Sequence, residues 1–157
     1  MSSYRVIAMS EAVAARVRET RTSPFAKHPT HEETAIGYGP CRLCLRTFQV
    51  GQERRILFTL DPFKGLEPLP LPGPVFIHAE ACRRHAEDAG FPEDMRAHPL
   101  TFNAYGRGRR LVAQHYVADG RVENVIAELL GRADVDYIHV RDTKAGCYDF
   151  RIERATN

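Results

Sequence analysis

Alternation of apolar and polar residues predicts a series of short strands along this chain. β-Branched and aromatic residues recur with the two-residue period of a strand that is buried on one face. The pattern is clearest in six runs: 4–8, 54–60, 75–77, 111–117, 135–141 and 147–153. The last two runs flank the turn-prone residues 142–146, so we expect them to form a hairpin.

Helical spacing is found between some of these runs. Ser10 is placed to cap a helix over 11–19, because its hydroxyl can accept an amide of the first turn. Asp119 is placed to cap a second helix that Gly131 ends. A third helix is expected over 79–88. The apolar positions of the second helix are Val122, Val125, Ile126, Leu129 and Leu130.

Together these elements predict an α+β fold, with a single domain over residues 1–157, a mostly antiparallel sheet and two or three helices. Residues 21–40 are expected to form a long irregular connection. Residues 61–74 contain five prolines and are expected to form an extended loop, because proline cannot donate to a β-ladder.

Two short clusters have the residue types of a metal site. They are Pro40-Cys41-Arg42-Leu43-Cys44 and His78-Ala79-Glu80-Ala81-Cys82. Three thiols and one imidazole are ligands that zinc takes in tetrahedral sites. We therefore predict that Cys41, Cys44, His78 and Cys82 bind one zinc ion within a subregion spanning 41–88.

The predicted helix after residue 78 leaves the ligand set open. On a helix, His78, Cys82 and His85 would share one face, and any two of them could complete the shell. The tight turn at Cys41–Cys44, the hairpin that follows it and this helix would then form a treble-clef-like arrangement. The competing interpretation is that the cysteines are small buried apolar residues and that His78 is simply hydrogen-bonded. A redox role for Cys41 and Cys44 is disfavoured, because no thioredoxin-like βαβ pattern surrounds them.

The same residues also allow a catalytic interpretation. Zinc deaminases use His-x-Glu and Pro-Cys-x-x-Cys, in which the glutamate moves protons. Here both parts occur in reversed order, and Glu80 would be the general acid and base. A fourth ligand at Cys82 argues against this role, because it would close the shell to water.

The C-terminal hairpin offers a second candidate site. Alternation places Tyr148, Phe150 and Ile152 on a core face and Cys147, Asp149 and Arg151 on the other. His139 and Arg141 on the neighbouring strand could extend this polar strip. A solvated sheet face is the favoured explanation, and a small-molecule binding face is the alternative.

Composition limits the possible partners. The 157 residues carry a net charge of only +2, which does not indicate a nucleic-acid partner. The basic segment 105–110 is interpreted as a solvated turn. We find neither a signal-peptide pattern nor an apolar run long enough to cross a bilayer. We therefore expect a bacterial cytoplasmic protein.

The chain resembles, over nearly its full length, a bacterial family of short proteins whose domain has no known function. The resemblance depends on Gly39-Pro40-Cys41-Arg42, Gly51-Gln52-Glu53, the run 72–77, and Ala145-Gly146-Cys147-Tyr148 leading to Arg151-Ile152. It implies no activity that can be carried over.

The resemblance also bears on the metal, because many relatives have serine at the position of Cys44 and lack counterparts of His78 and Cys82. The metal would then belong to a subgroup. A function shared by the family would instead involve Cys41, Arg42, Cys147 and Tyr148. The sequence as a whole favours a zinc-stabilised binding or structural domain, with a zinc hydrolase or a metal-free ligand-binding domain as alternatives.

Overall fold

The computed structural model describes residues 3–63 and 71–156 and confirms the α+β class. Within these ranges, eight strands form two antiparallel sheets, accompanied by two α-helices. The strands are β1 Tyr4–Ile7, β2 His31–Thr34, β3 Arg54–Leu60, β4 Gly73–His78, β5 Leu100–Gly106, β6 Arg110–Val117, β7 Tyr137–Asp142 and β8 Tyr148–Arg154; the helices are α1 Glu11–Thr20 and α2 Val122–Gly131.

Backbone contacts divide the chain into two units. The first contains β1 and the residues from His85 onward, and its five-stranded sheet has the order β1-β8-β7-β5-β6. Phe102, Val140 and Phe150 lie side by side across the three inner strands and are fully buried. Phe91 adds a ring 5.5 Å from that of Phe150.

The second unit, Met9–Arg84, contains α1 and the three-stranded sheet β2-β3-β4. Ser10 caps α1 as predicted, since its hydroxyl accepts the Ala12 amide. Val17 of α1 belongs to one buried cluster with Ile56 of β3 and Ile77 of β4. The first metal-candidate cluster contributes Cys41, Leu43 and Cys44 to the same core.

The predicted helix over 79–88 is wrong, because these residues form no helix. The amide of Ala79 donates to the carbonyl of Arg54 and so continues the β3–β4 pairing past His78. A backbone that is committed to a neighbouring strand cannot make the i to i−4 bonds of a helix. The treble-clef-like arrangement therefore lacks its helix, although the Cys41–Cys44 turn is present.

Other differences concern strands and caps. The polar strand β2 lies within the predicted irregular segment 21–40, and β5 was not predicted as a strand. Asp119 holds the turn before α2 by accepting the Arg121 amide, while Arg121 occupies the cap position. The predicted loop 61–74 overlaps the start of β4, and its residues 64–70 lie outside the described part.

No helix in the described residues has both the length and the apolar character needed to cross a membrane.

Candidate metal centre

Four side chains of the second unit converge on one point. The donor atoms of Cys41, Cys44, His78 and Cys82 all lie within 4.8 Å of one another. The cluster therefore brings three sulfurs and one imidazole nitrogen close enough to hold a single metal ion. These are the four residues that the sequence predicted as ligands, and His85 is not among them.

Backbone pairing brings the first two cysteines next to the end of β4. Cys41 forms a parallel bridge with Phe76, and the amide of Arg42 donates to the carbonyl of Phe76. The chain then turns tightly, because the Leu45 amide returns to the Cys41 carbonyl and Leu45 has a left-handed φ of 58°. This turn directs Cys41 and Cys44 toward the same side.

His78 is the last residue of β4, two positions beyond the bridge to Cys41. Its amide donates to the sulfur of Cys41 over 3.4 Å. Its ring nitrogen Nδ1 lies 3.5 Å from the sulfur of Cys44. N–H donors to sulfur stabilise the thiolate form, which is the form that binds metals.

The distances between donors fit the edges of a zinc tetrahedron. Zinc bonds of about 2.3 Å to sulfur and about 2.05 Å to nitrogen imply separations of about 3.8 Å between sulfurs and about 3.6 Å between sulfur and nitrogen. The sulfurs of Cys41 and Cys82 are 3.8 Å apart, and the Cys44–His78 distance is 3.5 Å. Both edges already match before any adjustment of the side chains.

Two residues outside the predicted set contact side chains of the candidate ligands. Oε1 of Glu53 lies 3.2 Å from Nε2 of His78, at ion-pair distance, although the ring N–H is not well aligned with it. The other carboxylate oxygen of Glu53 accepts the Gln49 amide. A carboxylate behind a ligating histidine is a recurrent feature of zinc sites, because it fixes the ring and strengthens the ligand.

Arg18 is the second such residue. Its guanidinium donates to the sulfur of Cys82 at 3.4 Å and to the carbonyl of His78 at 3.1 Å. Three thiolates around one zinc ion leave a net charge of −1. The guanidinium would supply the compensating positive charge, and it ties α1 to both ends of the segment from His78 to Cys82.

The charges in the cluster favour a cation. Burial lowers the pKa of His78, but its contacts with Cys41, Cys44 and Cys82 outweigh burial and raise this pKa to about 12. For Glu53, burial raises the pKa, whereas the Gln49 amide and His78 lower it, with a lowered pKa as the net result. A metal ion among the three sulfurs would satisfy the same demand for positive charge.

A pocket of about 270 Å³ borders the cluster. His78, Cys82, Glu53 and Glu80 line it, together with arginines 46, 54 and 83. Glu80 is exposed to solvent where it lines this pocket. Cys41 and Cys44 are 0% and 7% exposed, whereas Cys82 is only partly buried.

The other predicted site residues behave differently. Arg42 is buried and donates to the carbonyl of Pro40, so its guanidinium supports the cysteine turn. His85 contacts the carbonyl of Gly90 within the first unit. Cys147 is partly buried just before β8, with its sulfur 3.9 Å from the Ala145 carbonyl.

On the first unit's sheet, the predicted faces of β8 need a correction at Tyr148. The register between β7 and β8 shifts by one residue, so that Val140 faces Phe150 but Arg141 faces Tyr148. Asp149 is the extra residue, and it is fully buried. A bulge of this kind reverses the alternation beyond it. Tyr148 therefore joins the His139 face, and its ring is 4.9 Å from that of His139.

The prediction that the polar strip around His139 and Arg151 is a solvated sheet face is wrong. His139 is fully buried, with the rings of Tyr105 and Tyr137 at 5.3 and 5.1 Å. Burial, followed by the charges of Arg141 and Arg151, lowers the pKa of His139 to about 3. The structure thus brings His139, Arg141, Tyr148 and Arg151 to one face, where His139 is a neutral, buried ring.

The sequence interpretation missed Glu53 and Arg18. The signal for Glu53 was present, since it ends the Gly51-Gln52-Glu53 motif that carries the family resemblance. Gly51 has a left-handed φ of 78°, a conformation that favours glycine and places Glu53 in the turn before β3. Arg18 carried no signal, because a helical arginine has no pattern that marks it as a partner of a distant thiol.

Comparison with known families agrees with the resemblance noted from the motifs. The family model described as "Protein of unknown function (DUF1203)" matches residues 38–154, and the chain belongs to this family. No curated protein and no solved structure shows significant similarity to it. The matched region contains all four residues of the cluster.

Proposed function

We propose that this protein is a zinc-stabilised binding or structural domain, in which Cys41, Cys44, His78 and Cys82 hold one structural Zn²⁺. The observation that carries the proposal is the convergence of these four donor atoms within 4.8 Å. Three sulfurs and one nitrogen form a closed shell of the kind found in structural sites. Thiol ligands require a reducing compartment, so the proposal includes a location in the bacterial cytoplasm.

Such an ion would stabilise the fold because it joins two segments that are far apart in the sequence. The Cys41–Cys44 turn and the His78–Cys82 segment are about 35 residues apart in sequence and meet through the bridge between Cys41 and Phe76. Binding free energy at a site that exists only in the folded chain is also folding free energy. The ion would therefore stabilise the packing of the cysteine turn against β4.

Metal analysis of the protein purified without added metal tests this proposal. We expect about one zinc ion per chain, and loss of it in Cys44→Ser. Cys147→Ser is the matched control, because it removes a thiol outside the cluster and should leave the zinc content unchanged. Absence of zinc from the wild type, or an equal loss in Cys147→Ser, would refute the proposal.

A second candidate is hydrolysis at the same metal with Glu80 as the general acid and base. It is supported by the pocket that Glu80 shares with His78 and Cys82. Hydrolysis needs a coordination position for water, which a shell of four protein ligands does not provide.

The two candidates differ in whether the metal has an open position. Co²⁺ substituted for zinc reports this through its visible spectrum. If the shell is closed, the visible spectrum should not change when azide or thiocyanate is added. Glu80→Gln should then leave that spectrum unchanged. A spectral shift on anion binding that Cys82→Ser enlarges would favour the hydrolytic candidate.

A further inference from the structure

We propose that Cys82 is a modification site: a hydroperoxide oxidises its sulfur, Cys41 resolves the product as a disulfide, and the metal ion is released. The inference rests on the proposed zinc site and gives that site a regulatory reaction. Its basis is the exposure of Cys82, the position of Cys82 outside any helix or strand, and the short distance between its sulfur and that of Cys41.

Exposure singles out Cys82 among the three sulfurs. Cys41 and Cys44 are buried in the core of the second unit, whereas Cys82 is partly exposed and lines the 270 Å³ pocket. Hydrogen peroxide and small organic hydroperoxides are far smaller than this pocket. An oxidant entering it therefore meets the sulfur of Cys82 first.

Anchoring separates the same residues. The backbone of Cys41 is held by its bridge to Phe76 and by two turn hydrogen bonds. Cys82 lies in the segment 79–84, which forms neither helix nor strand. Its sulfur accepts a hydrogen bond from the guanidinium of Arg18. Cys82 can therefore shift toward Cys41 without breaking a strand pair.

Cys41 is placed to act as the resolving thiol. The sulfur of Cys41 lies 3.8 Å from that of Cys82, close to van der Waals contact for two sulfurs. Attack on an oxidised Cys82 would need a movement of less than about 2 Å to reach a disulfide bond length.

The chemistry balances in two steps. Zinc holds both cysteines as thiolates, the form that reacts with peroxides. The Cys82 thiolate attacks one peroxide oxygen; the O–O bond breaks, hydroxide leaves, and a sulfenic acid remains on Cys82. The Cys41 thiolate then attacks the Cys82 sulfur, the S–O bond breaks, and a second hydroxide leaves. Two thiolates have lost two electrons to the peroxide, and zinc has lost two of its four ligands.

The test uses the zinc-loaded full chain treated with hydrogen peroxide. Released zinc is followed with a chromogenic chelator, and the disulfide is mapped by mass spectrometry of unreduced peptides. We expect release of about one zinc ion per chain with a Cys41–Cys82 linked peptide, and recovery of zinc binding after reduction. Zinc that stays bound, or a disulfide that maps to Cys41–Cys44, would overturn the proposal.

Two variants sharpen the result. Cys82→His keeps a zinc ligand but removes the reactive sulfur, and it should slow release at least about tenfold. Cys147→Ser should respond like the wild type. Release from Cys82→His at the wild-type rate contradicts the proposal; if that variant does not bind zinc, the wild-type disulfide map decides.

The outcomes also separate this inference from the proposed function. A wild-type chain that carries zinc but resists peroxide would retain the structural role and lose the oxidation site. A chain purified without zinc would refute both the structural role and the release of a metal ion by oxidation.

Discussion

Glu53 is placed to orient His78, the candidate histidine ligand of the second unit. It contacts the histidine nitrogen that faces away from the sulfurs, and its other oxygen is fixed by the Gln49 amide. Orientation of a ligating histidine by a carboxylate typically contributes one to two orders of magnitude of metal affinity.

We predict that Glu53→Gln lowers zinc affinity about tenfold without removing the site. The amide keeps the shape of the side chain but loses the negative charge that supports the imidazole. Competition with a chelator of known affinity measures the change. Glu80→Gln is the matched control, because it removes a carboxylate from the same pocket and should leave the affinity unchanged. If both variants lower the zinc affinity equally, the loss comes from the negative charge of the pocket as a whole and not from the contact of Glu53 with His78.

His139 makes the stability of the first unit depend on pH. In the folded chain its pKa is lowered from 6.5 to about 3, so that the buried ring stays neutral while the unfolded chain takes up a proton below pH 6.5. The stabilising effect of a neutral His139 is complete above pH 6.5 and decreases as the pH falls toward 3.

We expect the free energy of unfolding to fall by about 1.4 kcal/mol per pH unit below pH 6.5 through this group. His139→Phe should flatten that part of the profile, since phenylalanine keeps the ring contacts and cannot titrate. Urea unfolding of both proteins between pH 5 and 8 measures the difference, in which pH effects on the metal ligands cancel. Parallel profiles would show that His139 is not the titrating group.

At the scale of elements, the loop before β7 packs very closely against the end of β5. A Cβ atom on Gly106 would lie 2.4 Å from the backbone oxygen of Asp134 and 3.1 Å from a methyl carbon of Val112. A backbone oxygen cannot yield as a flexible side chain can. This approach explains why β5 ends on a glycine.

Gly106→Ala should therefore destabilise the protein by about 2–3 kcal/mol, the cost of overpacking against backbone. Gly131→Ala is the control within the same unit: Gly131 ends α2 with open space around it, and alanine should stabilise that helix by up to about 1 kcal/mol. Chemical denaturation of both variants measures the change in the free energy of unfolding, which should be a decrease for Gly106→Ala and an increase for Gly131→Ala. A neutral Gly106→Ala would mean that the loop adapts at no cost.

At the scale of the molecule, the zinc proposal predicts a local response to metal removal. All four candidate ligands belong to the unit Met9–Arg84. Chelation should cause its largest loss of amide exchange protection in β3, β4 and the cysteine turn, because metal binding there contributes to folding free energy.

Hydrogen exchange with and without a strong chelator measures this effect, and β7 and β8 serve as the internal reference. Protection that falls equally in both sheets would contradict a local structural role. Restoration by zinc, but not by magnesium, is expected because thiolate ligands favour the softer ion.

Much of the architecture followed from local patterns. Strand periodicity identified β1, β3, β4, β6, β7 and β8, and helical spacing identified α1 and α2. The failures share a cause, which is that partners distant in sequence decided the outcome. The polar strand β2 forms because β3 provides its ladder, and residues after His78 stay extended because Ala79 pairs with Arg54.

The amino-acid sequence by itself determined which side chains could bind a metal, because the ability of a thiol or an imidazole to act as a ligand is a property of the residue type. Tertiary structure alone decided that the four donors meet, since the bridge between Cys41 and Phe76 joins segments far apart in sequence. It also decided that Glu53 and Arg18 support them and that one extra residue turns Tyr148 toward His139. Pairing register and through-space contact depend on the whole fold, and no local spacing encodes them.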